Sequence, residues 1–179
     1  VVASFFAEKG YKTILNDNLY SNAVAYEAFL GKGKLDQHKM SNLINKYNNI
    51  NPVLLPVNYF SNIYAHKYFS VNDAKKIGYI RDDIEKNKQA LTNREYCYLI
   101  TSLMYATDKI ANTVGHFESF LNKEPLDKGV KLENLDINTN IIPADIYNED
   151  SNKLAKKIKS DIAYIDPPYN ARQYVNFYH

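Results

Sequence analysis

The run Ile162-Ala163-Tyr164-Ile165 is apolar, bounded by Asp161 and Asp166, and followed at once by two prolines, Pro167 and Pro168. Proline fixes φ, carries no N–H for a sheet ladder and breaks a helix interior. The backbone therefore cannot continue as a regular element past Asp166. The pattern predicts a short buried strand ending at that aspartate, and the carboxyl ends of strands in an open α/β sheet are where ligands bind. What stands there is a carboxylate, rigidly held proline carbonyls and the ring of Tyr169. This set suits an exocyclic amine on a planar base, since Asp166 can accept one amine hydrogen, a proline carbonyl the other, and Tyr169 can stack on the ring. Two acceptors on one amino group favour a pyramidal nitrogen with its lone pair free, and they stabilise the positive charge that develops on attack.

The rest of the chain reads as two α/β pieces around a helical middle. Val1, Val2, Phe5 and Phe6 have helical spacing, and Gly10 is placed to end that helix. Tyr11 to Leu15 predicts a short buried strand, with Asn16-Asp17-Asn18 as the turn after it. A second helix is expected from about Leu19 to Leu30, with Ala23, Tyr26 and Leu30 on one face and Gly31 closing it. Residues 34–51 have a weak helical period, Pro52 and Pro56 break the chain, and residues 58–70 show no clear period. Asn72 to Asn87 predicts a helix carrying Ile77, Ile80 and Ile84. Thr92-Asn93-Arg94-Glu95 is a capping box, leading a helix whose stripe is Tyr96, Leu99, Ile100, Leu103 and Met104, with Cys97 buried beside it. Residues 112–116 form a turn-like break. A polar helix is expected from Asn148 to Lys159, before the final strand. The fold class is α/β, an incomplete parallel sheet with a mainly helical insertion. The expected division is residues 1–31 and 140–179 as two parts of the core, with 32–139 between them.

Composition excludes several alternatives. At 179 residues with 13% aromatics the chain is not wholly disordered, and its single cysteine excludes an internal disulfide framework. That cysteine usage leads to the expectation of a cytoplasmic setting; nothing approaches the run of about 18 apolar residues needed for a membrane helix, and no signal peptide is visible. A net charge of +2 makes any nucleic-acid face local rather than global. The chain begins without a Met and stops soon after Val175, so the sequence reads as an internal fragment.

Asp166-Pro167-Pro168-Tyr169 resembles the DPPY motif of the S-adenosylmethionine-dependent DNA adenine-N6 methyltransferases. The longer string DPPYNARQYVNFYH, residues 166–179, resembles its version in restriction–modification methylases. The resemblance implies a Rossmann-like sheet, S-adenosyl-L-methionine as methyl donor, and double-stranded DNA as substrate, with the adenine flipped out of the duplex. It implies catalytic roles for Asp166, Pro167, Pro168 and Tyr169. It further implies that Asp17, with Asn18 beside it, binds the cofactor ribose, and that Asp145, after the next strand, receives the cofactor adenine with Ile146 beside the ring. The insertion becomes a target-recognition or cap region, and Asn112 to Phe117 resembles the corresponding stretch of these methylases. Asn112, His116 and Arg172 are the expected DNA contacts. A cognate restriction endonuclease is an expected partner, and neither a metal nor a membrane is expected. The family's glycine-rich loop is missing, and Gly31-Lys32-Gly33 does not replace it because it follows a helix. The expectation is therefore weak cofactor binding by these residues alone.

Each assignment has a plainer competitor. Residues 166–169 could be a strand-end turn, Asp17 a helix cap, Asp145 a turn residue, Arg172 a surface ion pair and His116 a core or loop histidine. His38, His66, His116 and His179 show no metal-ligand spacing. The run from Lys75 to Lys88 alternates with acids and reads as a solvated helix face. At the level of function, the alternatives are an RNA or other amine methyltransferase, a non-catalytic DNA-binding module, or a purely structural fragment.

Overall fold

A computed structural model of the protein describes residues 2–117 and 119–166. The chain is a mixed assembly, a small parallel sheet beside a helical body. Helix α1 spans Val2–Glu8. Gly10 ends it at φ +82°, with Tyr11 N–H donating to the Phe6 carbonyl at 3.0 Å and Gly10 N–H to the Ala7 carbonyl at 3.1 Å. That is a left-handed glycine stop. It claims Tyr11, so strand β1 is Ile14–Asn16 rather than 11–15, and it is half-buried rather than buried. The buried face of α1 also differs from the expected one. Ala7 is the packed residue while Val2, Phe5 and Phe6 face outward.

Helix α2, Tyr20–Leu30, ends at Gly31 as expected. After the helical region comes β2, Asp145–Tyr147. It pairs in parallel with β1, Ile14 opposite Asp145, Leu15 opposite Ile146 and Asn16 opposite Tyr147. Ala7, Leu30 and Ala144 form a small apolar cluster against this pair, with Ala3, Leu15, Phe29, Ile141 and Ile146 packed on it.

The helical body holds the larger core. Helix α3, Gln37–Asn48, is capped by Asp36 and buries Met40, Ile44 and Tyr47. The weak period of residues 34–51 hid a well-formed amphipathic helix. Pro52–Leu54 is a single 3-10 turn. Residues 58–70, which lack a sequence period, contain a short helix α4, Tyr59–Tyr64, held by a reciprocal cap between Asn58 and Ser61. Helix α5, Val71–Lys86, buries Ile77, Ile80 and Ile84 as expected. Helix α6, Asn93–Ile110, carries the Thr92/Glu95 capping box read from sequence, and Cys97 is buried.

Three further expectations are corrected. The helix over Asn148–Lys159 shrinks to α7, Ser151–Leu154, because Leu154 is its only buried side chain. Ile162 to Ile165 forms no strand; Ile162, Tyr164 and Ile165 are 70–81% exposed. A strand needs a neighbouring edge for its backbone groups, and the segment pairs with neither β1 nor β2. Finally, the basic run on α5 is not wholly solvated. Lys76 is buried and donates to the Asn48 carbonyl at 3.0 Å, and burial lowers its pKa. Among the described residues no helix is long and apolar enough to cross a membrane.

Candidate cofactor and nucleic-acid sites

Parallel pairing brings the carboxyl ends of β1 and β2 together, and Asp17 stands directly after β1. Its Oδ1 accepts from Leu19 N–H at 2.8 Å, and its Oδ2 from Asn22 Nδ2 at 2.8 Å and Tyr26 Oη at 3.3 Å. This is an Asx turn that also ties the carboxylate to α2. Burial, then the Asp17 charge, raises the Tyr26 pKa. Asn18 is exposed beside it. Asn148, the residue after β2, donates Nδ2 to the Asp17 carbonyl at 2.7 Å. Asn16 donates Nδ2 to the Glu149 carbonyl at 2.9 Å and accepts from Glu149 N–H at 3.1 Å. The strand ends thus form a locked polar mouth. The structure places Asp17 and Asn18 directly after β1, where the sequence put them, and adds a clamp of Asn16 and Asn148 that sequence reasoning missed. Asn16 was legible only as a turn former and Asn148 only as the start of a polar helix.

Asp145 is the first residue of β2, not the residue after a strand, and lies opposite Ile14 at the other end of the pair from Asp17. Its carboxylate is ion-paired to Lys32 and, at 3.4 Å, to Lys12. The hydrogen bond from Lys32 holds its pKa below the usual carboxylate value. Ile146 packs on the Ala7–Leu30–Ala144 cluster.

Asp166 is exposed. Pro167, Pro168, Tyr169 and Arg172 lie outside the described residues.

Asn112 is 5% exposed. Its Nδ2 donates to the carbonyls of Lys67, Leu121 and Lys123 at 3.2, 3.0 and 3.1 Å. Its backbone N–H donates to Tyr68 at 2.9 Å, and its carbonyl accepts from Leu121 N–H at 3.0 Å. Its side chain therefore fixes a loop. That loop is closed by an antiparallel bridge from Thr113 to Phe120 and turned at Gly115, φ +103°. His116 is half-buried on it.

A deep ionic knot lies elsewhere. Glu95 accepts from Lys39 Nζ at 2.7 Å and Thr92 N–H at 3.0 Å. Burial pushes its pKa up, but Lys39 and the backbone donors outweigh that and hold it low. A third bond comes from Asp36 N–H at 3.3 Å, so the carboxylate ties the start of α3 to that of α6.

A family model described as D12 class N6 adenine-specific DNA methyltransferase matches residues 1–179. Modification methylase StsI of Streptococcus sanguinis is 36% identical over 194 residues, which cover 100% of this chain and 29% of that protein. Type II methyltransferase M.FokI of Planomicrobium okeanokoites is 32% identical over 198 residues, covering 96% of this chain and 29% of that protein. Type II methyltransferase M.NlaIII of Neisseria lactamica is 38% identical over 117 residues, covering 63% and 35%. The chain thus spans 29% of the length of the first two relatives. No solved structure matches the chain at a significant level.

Proposed function

The chain belongs to the D12 class N6 adenine-specific DNA methyltransferase family, and on that premise we propose that it is part of an enzyme that transfers a methyl group from S-adenosylmethionine to N6 of a flipped adenine in duplex DNA. The observation that carries the reading is the parallel register of β1 and β2, with Asp17 at their shared carboxyl end. Supporting it are the relatives' names, which describe a modification methylase and type II methyltransferases. A restriction endonuclease of matching specificity belongs to the same proposal.

We take the strand pair as part of a Rossmann-like sheet. Residues 1–31 and 140–179 form its two portions, and 32–139 a recognition or cap region. The two apolar clusters support this division, although α2 packs its Val24 and Ala28 into the larger one. The donor set at the mouth fits the cofactor. A carboxylate has about four lone-pair sites; Asp17 uses three, the longest being to Tyr26. Asp17 can therefore accept a ribose hydroxyl, with exposed Asn18 beside it. Asp145 is held by Lys32 and Lys12 and supports the strand pair from its far end.

S-adenosylmethionine supplies an electrophilic methyl group on sulfur. The chain's own part is to orient the acceptor. Asp166 accepts one N–H of the adenine amine and the Pro167 carbonyl the other, with Pro168 next in the motif, while Tyr169 stacks on the base. The test is methyl transfer by the complete protein that carries these residues, from labelled S-adenosylmethionine to mixed-sequence duplex, with N6-methyladenine read by mass spectrometry. Transfer lost on Asp166→Ala supports the reading. A folded, cofactor-bound protein that modifies RNA or nothing overturns it.

A further inference from the structure

The helical region carries a second constructed surface, where the loop 65–69 meets the loop 113–120. The first is tight. Ala65 bridges to Phe69, His66 N–H donates to the Phe69 carbonyl at 2.9 Å, and His66 sits at φ +65°. A non-glycine residue held in the left-handed region is a local strain that the surroundings must enforce. Here they do so from three sides. The Lys67 carbonyl accepts from Asn112 Nδ2, the Tyr68 carbonyl from Asn112 N–H, and Tyr68 Oη donates to the Phe117 carbonyl at 3.0 Å. His66 Nδ1 lies 2.9 Å from Glu124.

The result is that Lys67 is presented from the tip of a fixed backbone. Its Nζ stands 4.9 Å from the ring centre of Phe120 and 5.9 Å from that of Tyr68. Among the described residues it has no carboxylate partner. Other surface lysines also lack one, but among the described residues Lys67 alone combines a strained, stapled loop with a shelf of two rings. Phe120 is 38% exposed and Val114, on the same joined loop, 57%. A lysine fixed in place above aromatic rings, and without a carboxylate partner among the described residues, suits an anion brought by a partner. Phosphates of a nucleic-acid backbone are such anions.

We propose that Lys67, steadied by Asn112, Tyr68 and Phe120, is a phosphate contact for duplex DNA. The proposal rests on the methyltransferase reading above and adds to it a residue that sets DNA affinity without touching the reacting atoms.

The experiment uses the complete protein and a fluorescent duplex carrying its methylation site, titrated from about 50 to 200 mM salt. One lost phosphate contact flattens the slope of log K against log salt by about 0.9. Lys67→Gln is therefore expected to bind more weakly than wild type at low salt. The gap should shrink about threefold across that range, and Lys67→Arg should restore both affinity and slope. Lys109→Gln is the control, because Lys109 is already paired with both oxygens of Glu133 at 2.8 Å; its slope should match wild type. Melting temperatures taken in parallel separate a folding role, which lowers stability without changing the slope. A wild-type slope in Lys67→Gln overturns the contact, and the same result would follow if the patch served an acidic protein instead. Failure of the wild-type protein to methylate DNA overturns the parent reading; transfer with an unchanged Lys67→Gln slope overturns only this inference.

Discussion

Asn16 and Glu149 form a reciprocal pair 133 residues apart, the Asn16 amide giving a hydrogen bond to the Glu149 carbonyl and its oxygen receiving one from the Glu149 N–H. A third bond runs from the same amide to Ser151 Oγ at 3.0 Å. One side chain thus extends a sheet of two three-residue strands past their last backbone pair and fixes the mouth beside Asp17. Asn16→Ala removes these bonds from a partly buried position. The expected loss of stability is about 1–3 kcal/mol, read by thermal unfolding. The expected companion is weaker S-adenosylmethionine binding by the complete protein. Unchanged stability would show that the backbone pairing suffices without the clamp.

Gly78 lies in the middle of α5, where alanine is ordinarily better by about 1 kcal/mol. Here the opposite is expected. A Cβ on Gly78 would run into the side chain of Asn58 well inside contact distance. Asn58 cannot step aside cheaply, because it caps α4 and donates to the Lys75 carbonyl at 2.8 Å. Gly78→Ala should therefore destabilise by about 1–3 kcal/mol. Combined with Asn58→Ala, the second substitution should cost less than it does alone. Additive losses in a double-mutant cycle would contradict the close approach.

Asp73 is 2% exposed and accepts from Val130 N–H at 2.7 Å, Lys128 N–H at 3.0 Å and Ser70 Oγ at 3.0 Å. It fastens the extended segment that leads from the loop at 112–124 back toward β2. Asp73→Asn keeps the shape but puts an amine where a backbone N–H needs an acceptor. About 1–3 kcal/mol is the expected cost for each buried donor left without one. Proteolysis should then cut between residues 124 and 135 first. Resistance equal to wild type would show that the segment is held by Val130 and Leu132 packing alone.

Legibility of the fold followed the strength of local signals. The α6 capping box and the Gly10 and Gly31 stops were readable because single residues dictate them. Helix α4 was not, since its cap is an asparagine–serine pair without an apolar period. Lys76 looked like part of a solvated face, and Asp73 left no signal at all, because their partners, Asn48 and the backbone at 128–130, are remote in sequence. The strand expected at 162–165 was inferred from apolarity, which says that a segment can be buried but not which edge receives it. At the site, Asp17 was legible as an acid after a strand. Asn112 was read as a DNA contact; its five bonds to the segments around 67–68 and 121–123 are tertiary and left no trace in the spacing.

Alkaline pH should weaken the fold through groups that hold their protons too tightly. Burial, reinforced by the hydrogen bond to Glu85, pushes the Tyr96 pKa up to about 12, and burial pushes that of Cys97 up to about 11. The unfolded chain releases these protons near pH 10 and 9, so the folded state binds more protons in between. The stabilising contribution is complete below pH 9. It fades for Cys97 as pH rises to about 11 and for Tyr96 as it rises to about 12. For Tyr96 the size is on the order of 2 kcal/mol. Chemical denaturation at pH 8 and 11 should show the drop, and Tyr96→Phe should flatten part of it. An equally steep drop in Tyr96→Phe would remove Tyr96 from the account.

Asp17 and Asp166 should fail in opposite ways in the complete protein. Asp17 is proposed to hold the cofactor ribose, so Asp17→Ala should raise the Kd for S-adenosylmethionine by about tenfold or more, the worth of one charged hydrogen bond. It should also lower the melting temperature, because Leu19 N–H and Asn22 lose their acceptor. Asp17→Asn keeps one acceptor and should retain more of the stability than of the cofactor affinity. Asp166 is exposed and, among the described residues, has no hydrogen-bond partner. Its replacement should leave folding and cofactor affinity in place. Its proposed role would begin when the adenine amine arrives, where it would accept one N–H and stabilise the charge that grows on nitrogen. Removing a preorganised group of that kind costs about 100- to 1,000-fold in kcat, with little change in the Kd for DNA. Isothermal titration with cofactor and single-turnover methyl transfer measure the two separately. If Asp166→Ala instead loses cofactor binding while Asp17→Ala loses only turnover, the two carboxylates have been assigned to the wrong ends of the reaction.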